Sequence, residues 1–168
     1  MSDLFHEAVP ISFIMDVFDV MNKTPWHEYQ VLTKRSERLL RQDPLLPWTD
    51  NIWMGVTVEH EDLLYRVGHL RDTGAALKFL SLEPLLSPLS DLNLTGIDWV
   101  IVGGESGRRA RPMRKEWAQE IRDMCVAAEV PFFFKQWSQA NPEEEGCLLD
   151  GREWKEMPRI EEQQRRLF

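Results

Sequence analysis

Cysteine is nearly missing from this sequence: Cys125 and Cys147 are the two thiols in 168 residues. They are too few and too far apart for a disulfide scaffold or for the paired spacing of a zinc site. No apolar run is long enough to span a bilayer, and the opening residues do not read as a secretory signal. No membrane partner is expected, and the default location is reducing and cytoplasmic. Positive charge is also scarce, with 20 Lys and Arg against 28 Asp and Glu and a net charge of -8. That balance excludes a broadly nucleic-acid-binding surface. A local basic cluster at Arg108, Arg109, Arg111, Arg114 and Lys115 leaves nucleic acid open as a partner. It reads either as a solvated loop entering a helix or as a phosphate contact.

What is present is a series of short apolar runs, each ending in polar or glycine-rich residues. They are Glu28 to Leu32 into Thr33-Lys34-Arg35, Ile52 to Val56 into Thr57-Val58-Glu59, and Leu77 to Leu80 into Ser81-Leu82-Glu83. Trp99 to Val102 into Gly103-Gly104-Glu105-Ser106, and Pro131 to Phe134 into Lys135-Gln136-Trp137, complete the series. Helical patterns separate several of them. Ile11, Ile14, Val17, Phe18 and Met21 share one face of a helix from about Pro10 to Met21. Ser36 is placed to cap a short helix through about Arg41. A further helix is predicted over 61–71, and another over 115–128 with Cys125 on its apolar stripe. Alternation of this kind writes a parallel α/β sheet or barrel. Beyond Trp137 the composition turns acidic and polar, with Asp150-Gly151 as a turn signal and 160–168 as a frayed or weakly helical end.

In parallel α/β folds, function sits at the carboxyl ends of strands, where the chemically capable residues gather here. Glu59, Glu83 and Glu105 each follow an apolar run, and Asp3 is a fourth acidic candidate. Such carboxylates bind a ribose, an amine or a metal, or serve as acid or base; the alternative is that each caps a helix or accepts from backbone. Gly103 and Gly104, followed by Glu105 and Ser106, form the sharpest local motif. Paired glycines let a backbone approach a ligand and expose N–H groups to an anion. Lys34, Arg35, Lys135 and Gln136 bring donors to the same rim, either as ligand anchors or as snorkelling side chains. His6 is a possible metal ligand or proton shuttle, or merely exposed.

Six segments carry a resemblance. They are Met-Ser-Asp-Leu-Phe-His-Glu at 1–7, Gln-Val-Leu-Thr-Lys-Arg at 30–35 and Leu-Ser-Leu-Glu-Pro-Leu-Leu at 80–86. Asp-Trp-Val-Ile-Val-Gly-Gly-Glu-Ser-Gly at 98–107, Pro-Phe-Phe-Phe-Lys-Gln-Trp at 131–137 and Leu-Asp-Gly-Arg-Glu-Trp at 149–154 complete them. In order, they make the chain resemble a phage- and prophage-associated family of unknown function, distantly like the radical-SAM barrels. The resemblance implies, for full-length relatives, an upstream three-cysteine segment holding an iron–sulfur cluster that works with S-adenosylmethionine. This chain has no such segment, so it is expected to correspond to the C-terminal part of a relative and to carry no cofactor itself.

The expected architecture is a partial (β/α) barrel, or an open, mostly parallel sheet of about five strands with outer helices. Residues 1–137 would form the partial barrel, and 138–168 an extension packing on it or trailing from it. Two functions fit. One is the C-terminal part of a radical-SAM-like protein, inactive alone and of unknown substrate; the other is a non-catalytic interaction module in phage–host conflict. The expected partners are a separate chain supplying the missing strands, or a second copy meeting an open sheet edge.

Overall fold

A computed structural model describes residues 3–141 and 146–158. The first helix, α1 (Ile11–Lys23), buries Ile14, Phe18 and Met21 on one stripe. Pro10 sits at its N-cap in an extended conformation, and Thr24 closes it with its hydroxyl donating to the Val20 carbonyl. Proline at 25 keeps the chain from continuing the helix.

The strands are β1 (Tyr29–Thr33), β2 (Ile52–Thr57), β3 (Leu77–Leu82), β4 (Trp99–Gly103) and β5 (Phe132–Gln136). They form one sheet in the order β1-β2-β3-β4-β5, every pair parallel. The expected open parallel sheet is therefore what the sequence folds into, and it does not close into a barrel. Between strands lie α2 (Ser36–Gln42), α3 (Tyr65–Arg71) and α4 (Lys115–Ala127).

Two details depart from the sequence reading. Ser36 is the first residue of α2 rather than its cap, because its hydroxyl is engaged with His69 Nδ1 at 3.0 Å. The helix predicted over 61–71 is a 3-10 turn at Glu61–Leu63 followed by α3, the turn being capped by His60 Nδ1 accepting from the Asp62 amide.

The helices share one face of the sheet. Their inward residues, among them Phe18, Leu39, Leu70, Ile121 and Cys125, join one core with Met54, Val56, Leu80, Leu82, Val100, Val102, Phe132 and Phe134. Each fully buried aliphatic or aromatic side chain in such a core contributes about 1.5–3 kcal/mol of transfer free energy. Alternate strand residues point the other way. There Trp53, Phe79 and Trp99 form a separate aromatic cluster, with Leu77, Ile101 and Phe133 against it. The Trp99 ring lies 6.2 Å from Trp53, 5.8 Å from Phe79 and 6.1 Å from Phe133. Gly55 makes room for it, since a Cβ there would fall 2.4 Å from the Phe79 ring.

The C-terminal segment closes one edge. A hairpin of β6 (Leu148–Leu149) and β7 (Arg152–Glu153) turns at Asp150 and Gly151, both with positive φ as a tight two-residue turn requires. The chain then runs antiparallel along β5: the Phe134 amide donates to Trp154 O and the Glu156 amide to Phe132 O. Leu149 enters the main core, and Trp99 Nε1 donates to Glu156 O at 2.9 Å. Residues 142–145 and 159–168, where the acidic loop and the weakly helical end were expected, lie outside the described residues.

Candidate functional site

Because all five strands are parallel, their carboxyl ends share one edge, and the candidate residues lie along it in strand order. At the end of β1, Asp3 accepts from Thr33 Oγ1 (2.7 Å), the Lys34 amide (3.0 Å) and the Phe5 amide (2.9 Å). Asp3 is thus a cap on the strand end. Lys34 extends its ammonium to Glu59 at the end of β2. Glu59 also accepts from Arg66 Nη1 at 3.0 Å, and the same nitrogen donates to Thr57 O at 2.7 Å. At the end of β3, Glu83 pairs with Lys135 at 2.9 Å, linking it to the end of β5.

At the end of β4, Glu105 holds Arg111 through Nε and Nη2, both at 2.9 Å, and accepts from the Arg111 amide at 2.8 Å. Side-chain and backbone hydrogen bonds from Arg111 pull the Glu105 carboxyl down to about 2. In turn Arg111 is held above the ordinary arginine range, first by Glu105 and also by attraction from Glu59. The β2 and β4 pairs therefore lie within electrostatic reach of one another.

The carboxylates sit deeper than their cations. The side chains of Glu59 and Glu83 are 14% and 18% exposed, those of Lys34 and Lys135 47% and 54%. This is a rim of shielded acceptors beneath exposed donors, able to hydrogen-bond a polar ligand from both sides. Strand alternation puts Glu59 and Glu83 on the helix-free face, because Val58 and Leu82 beside them belong to the helix-side core.

The glycine motif is used within the chain. Gly103 faces Glu83 and Gln136, where a Cβ would come within 3.1 Å of both side chains. A Cβ on Gly104 would fall 2.1 Å from the Ser138 amide nitrogen. The Gly104 amide donates to Gln136 O, and Gly104 O accepts from Gln136 Nε2 at 3.0 Å. The pair thus serves close packing of β4 on β5, with its amide N–H turned to protein. Ser106 is exposed and, with Gln136, Trp137, Ser138, Gln139 and Asn141, lines an open cleft of about 580 Å³.

The remaining candidates stand apart from the paired rim. Arg35 is exposed, its amide donating to Thr33 Oγ1. His6 is exposed, its Nδ1 accepting from the Ala8 amide, while its carbonyl and that of Val9 receive the buried Arg38 guanidinium. Among the described residues no group of three or more His, Cys, Asp or Glu is placed to hold a metal ion. An iron–sulfur cluster does not fit this chain's own thiols. Cys125 is fully buried in the core, its thiol pushed up to about 12 by burial and by Glu156, and Cys147 donates to Glu153 on the hairpin.

Sequence reasoning missed Arg66, and it read Arg111 only as part of a basic loop. Arg66 lies seven residues after Glu59, a separation that follows from the 3-10 turn and not from any motif. Among the described residues no helix is long and apolar enough to cross a membrane.

Five parallel strands in chain order, helices on one face and a charged rim at the carboxyl edge define a singly wound α/β protein. The chain belongs to the family described as Protein of unknown function (DUF5131), whose model matches residues 1–158. No curated protein and no solved structure matches it.

Proposed function

We propose that this chain is the substrate-binding wall of a (β/α) barrel of radical-SAM type, with the cluster-holding cysteines on sequence other than these 168 residues. The observation that carries it is the strand order. Doubly wound sheets reverse direction at a switch point and are clad on both faces. A sheet wound in one direction with its helices on one side is a barrel wall, and its other face is the barrel interior. Here that interior face has an aromatic layer below and the paired rim of Lys34, Glu59, Glu83 and Lys135 above. The rim is where barrel enzymes hold substrate. When bound elsewhere in the assembled barrel, an iron–sulfur cluster with S-adenosylmethionine supplies radical chemistry. This chain's residues orient the substrate by hydrogen bonds and leave the cluster to other ligands. The resemblance of the six segments is what supports a phage association.

The test is anaerobic reconstitution of a version extended upstream, with iron and sulfide analysis. Stoichiometric iron and visible absorption are expected from the extended protein, and Glu83→Gln with Lys135→Met is expected to leave the iron content unchanged. An extended protein that takes up no iron would end the radical-SAM reading.

The edge of β1 favours a second function for the same wall. Leu32 is 40% exposed there, and no strand pairs with β1 on its outer side among the described residues. An edge of this kind recruits a strand from another chain. That is the form an interaction module would take.

A further inference from the structure

Among the described residues, seven that bear hydroxyls are buried: Thr33, Ser36, Thr57, Thr73, Ser81, Ser87 and Ser138. Five use their hydroxyls. Thr33 bonds Asp3, Ser36 bonds His69, Thr73 donates to Leu70 O, Ser87 to Pro88 O and Ser138 to Arg111 O. Thr57 and Ser81, 2% and 5% exposed, have no side-chain hydrogen bond among the described residues. They are partners in register on adjacent strands. Each lies two residues before a rim carboxylate, Glu59 and Glu83, on the same helix-free face. Among the described residues, the fully enclosed side-chain polar atoms that lack a partner are Gln42 Oε1 and Arg66 Nε. The two hydroxyl oxygens therefore keep an opening, and strand alternation directs it beneath the rim. Hydroxyls on residues this buried usually pair within the protein; these two are left free to meet a group from outside.

We infer that Thr57 and Ser81 form the floor of the rim site, and that its occupant is a neutral polyol presenting a vicinal diol. The inference rests on reading the rim as a ligand site. The choice of ligand follows from charge balance. The cations Lys34, Arg66, Lys135 and Arg111 face the carboxylates Asp3, Glu59, Glu83 and Glu105, and the three glutamates already hold cations. An ionic ligand of either sign would add an unmatched charge to pairs that already balance. A hydroxyl can donate to Glu59 or Glu83 while accepting from Lys34 or Lys135, leaving the pairs in place. Two side-by-side floor hydroxyls, each donor and acceptor, match two neighbouring ligand hydroxyls. Free sugars and the ribose of nucleosides share this chemistry.

The test is calorimetric titration of the full chain with D-ribose and with adenosine, using 2′-deoxyadenosine as control, beside thermal melts. Saturable binding of at least one diol probe is expected, and the deoxy control should bind about tenfold or more weakly. Thr57→Val and Ser81→Ala should each weaken the diol by a similar factor without lowering the melting temperature, and Thr57→Ser should retain it. D-ribose binding as well as adenosine assigns a sugar, and adenosine alone assigns a nucleoside. Binding of neither probe, equal binding by the deoxy control, or a fall in melting temperature in both variants would overturn the inference. Iron uptake by the upstream-extended protein needs neither hydroxyl. Iron without diol binding would sink this inference alone, and diol binding without iron would sink only the radical-SAM reading.

Discussion

Glu105 carries the plainest electrostatic signature of the rim. Its carboxyl is held at about 2 by Arg111, which binds it through two guanidinium nitrogens and its own amide. A carboxylate depressed in the folded state stabilises above its ordinary pKa and loses that contribution as pH falls through the depressed value. The Glu105–Arg111 clasp should therefore be intact above about pH 4.5 and open as pH approaches 2. A carboxyl-resolved NMR titration should show Glu105 with a midpoint near 2, and Arg111→Gln should return it to the ordinary carboxylate range near 4.5. A wild-type midpoint near 4.5 would disprove the clasp. The carboxylates themselves were legible as polar ends to apolar runs. Their cations were less so, because Arg66 and Arg111 reach them through turns that leave no periodic trace. Thr57 and Ser81 were also missed, although the repeated spacing Thr-x-Glu and Ser-x-Glu puts hydroxyl and carboxylate on one face.

At the scale of elements, the helix-free face is set by one alternation running through four strands. Small and large residues meet across it, Gly55 beside Phe79 on β3, with the ring occupying the place of the absent side chain. Gly55→Ala should cost about 1–3 kcal/mol by overpacking. The measurement is a denaturant melt, and a loss below about 0.5 kcal/mol would show that Phe79 moves aside freely. The five strands were readable because each is a compact apolar run bounded by polar residues or glycine. The segment pairing with β5 was not, since Trp154 to Glu156 join the sheet through backbone groups that any sequence possesses. The 3-10 turn before α3 was read as continuous helix because its apolar spacing carries through, while the His60 cap imposes the break.

At the scale of the whole molecule, one sheet edge is covered and the other is bare among the described residues. Residues 154–156 lie along β5, whereas β1 ends the sheet with Leu32 exposed and the amide of Lys34, just past the strand, capped by Asp3. Self-association, where it occurs, is expected through β1. Sedimentation at rising concentration should then show a species that Leu32→Lys reduces, because an edge lysine disfavours strand pairing. A change at β5 that removes the species instead would refute the assignment. The chain's membership of its family and its α/β class follow from the whole sequence, and the asymmetry of its edges follows from the last dozen described residues.

That asymmetry limits growth. Head-to-tail addition, β1 of one copy onto β5 of the next, would repeat indefinitely and draw out a fibre. The strap on β5 removes the acceptor for that reaction. What is left is β1 meeting β1 across a two-fold axis, which uses up both edges at once and stops at a pair, or β1 meeting a foreign strand, which stops at a single complex. Among its described residues, a chain bare at β1 and strapped at β5 offers one parallel strand edge, and a partner is joined there.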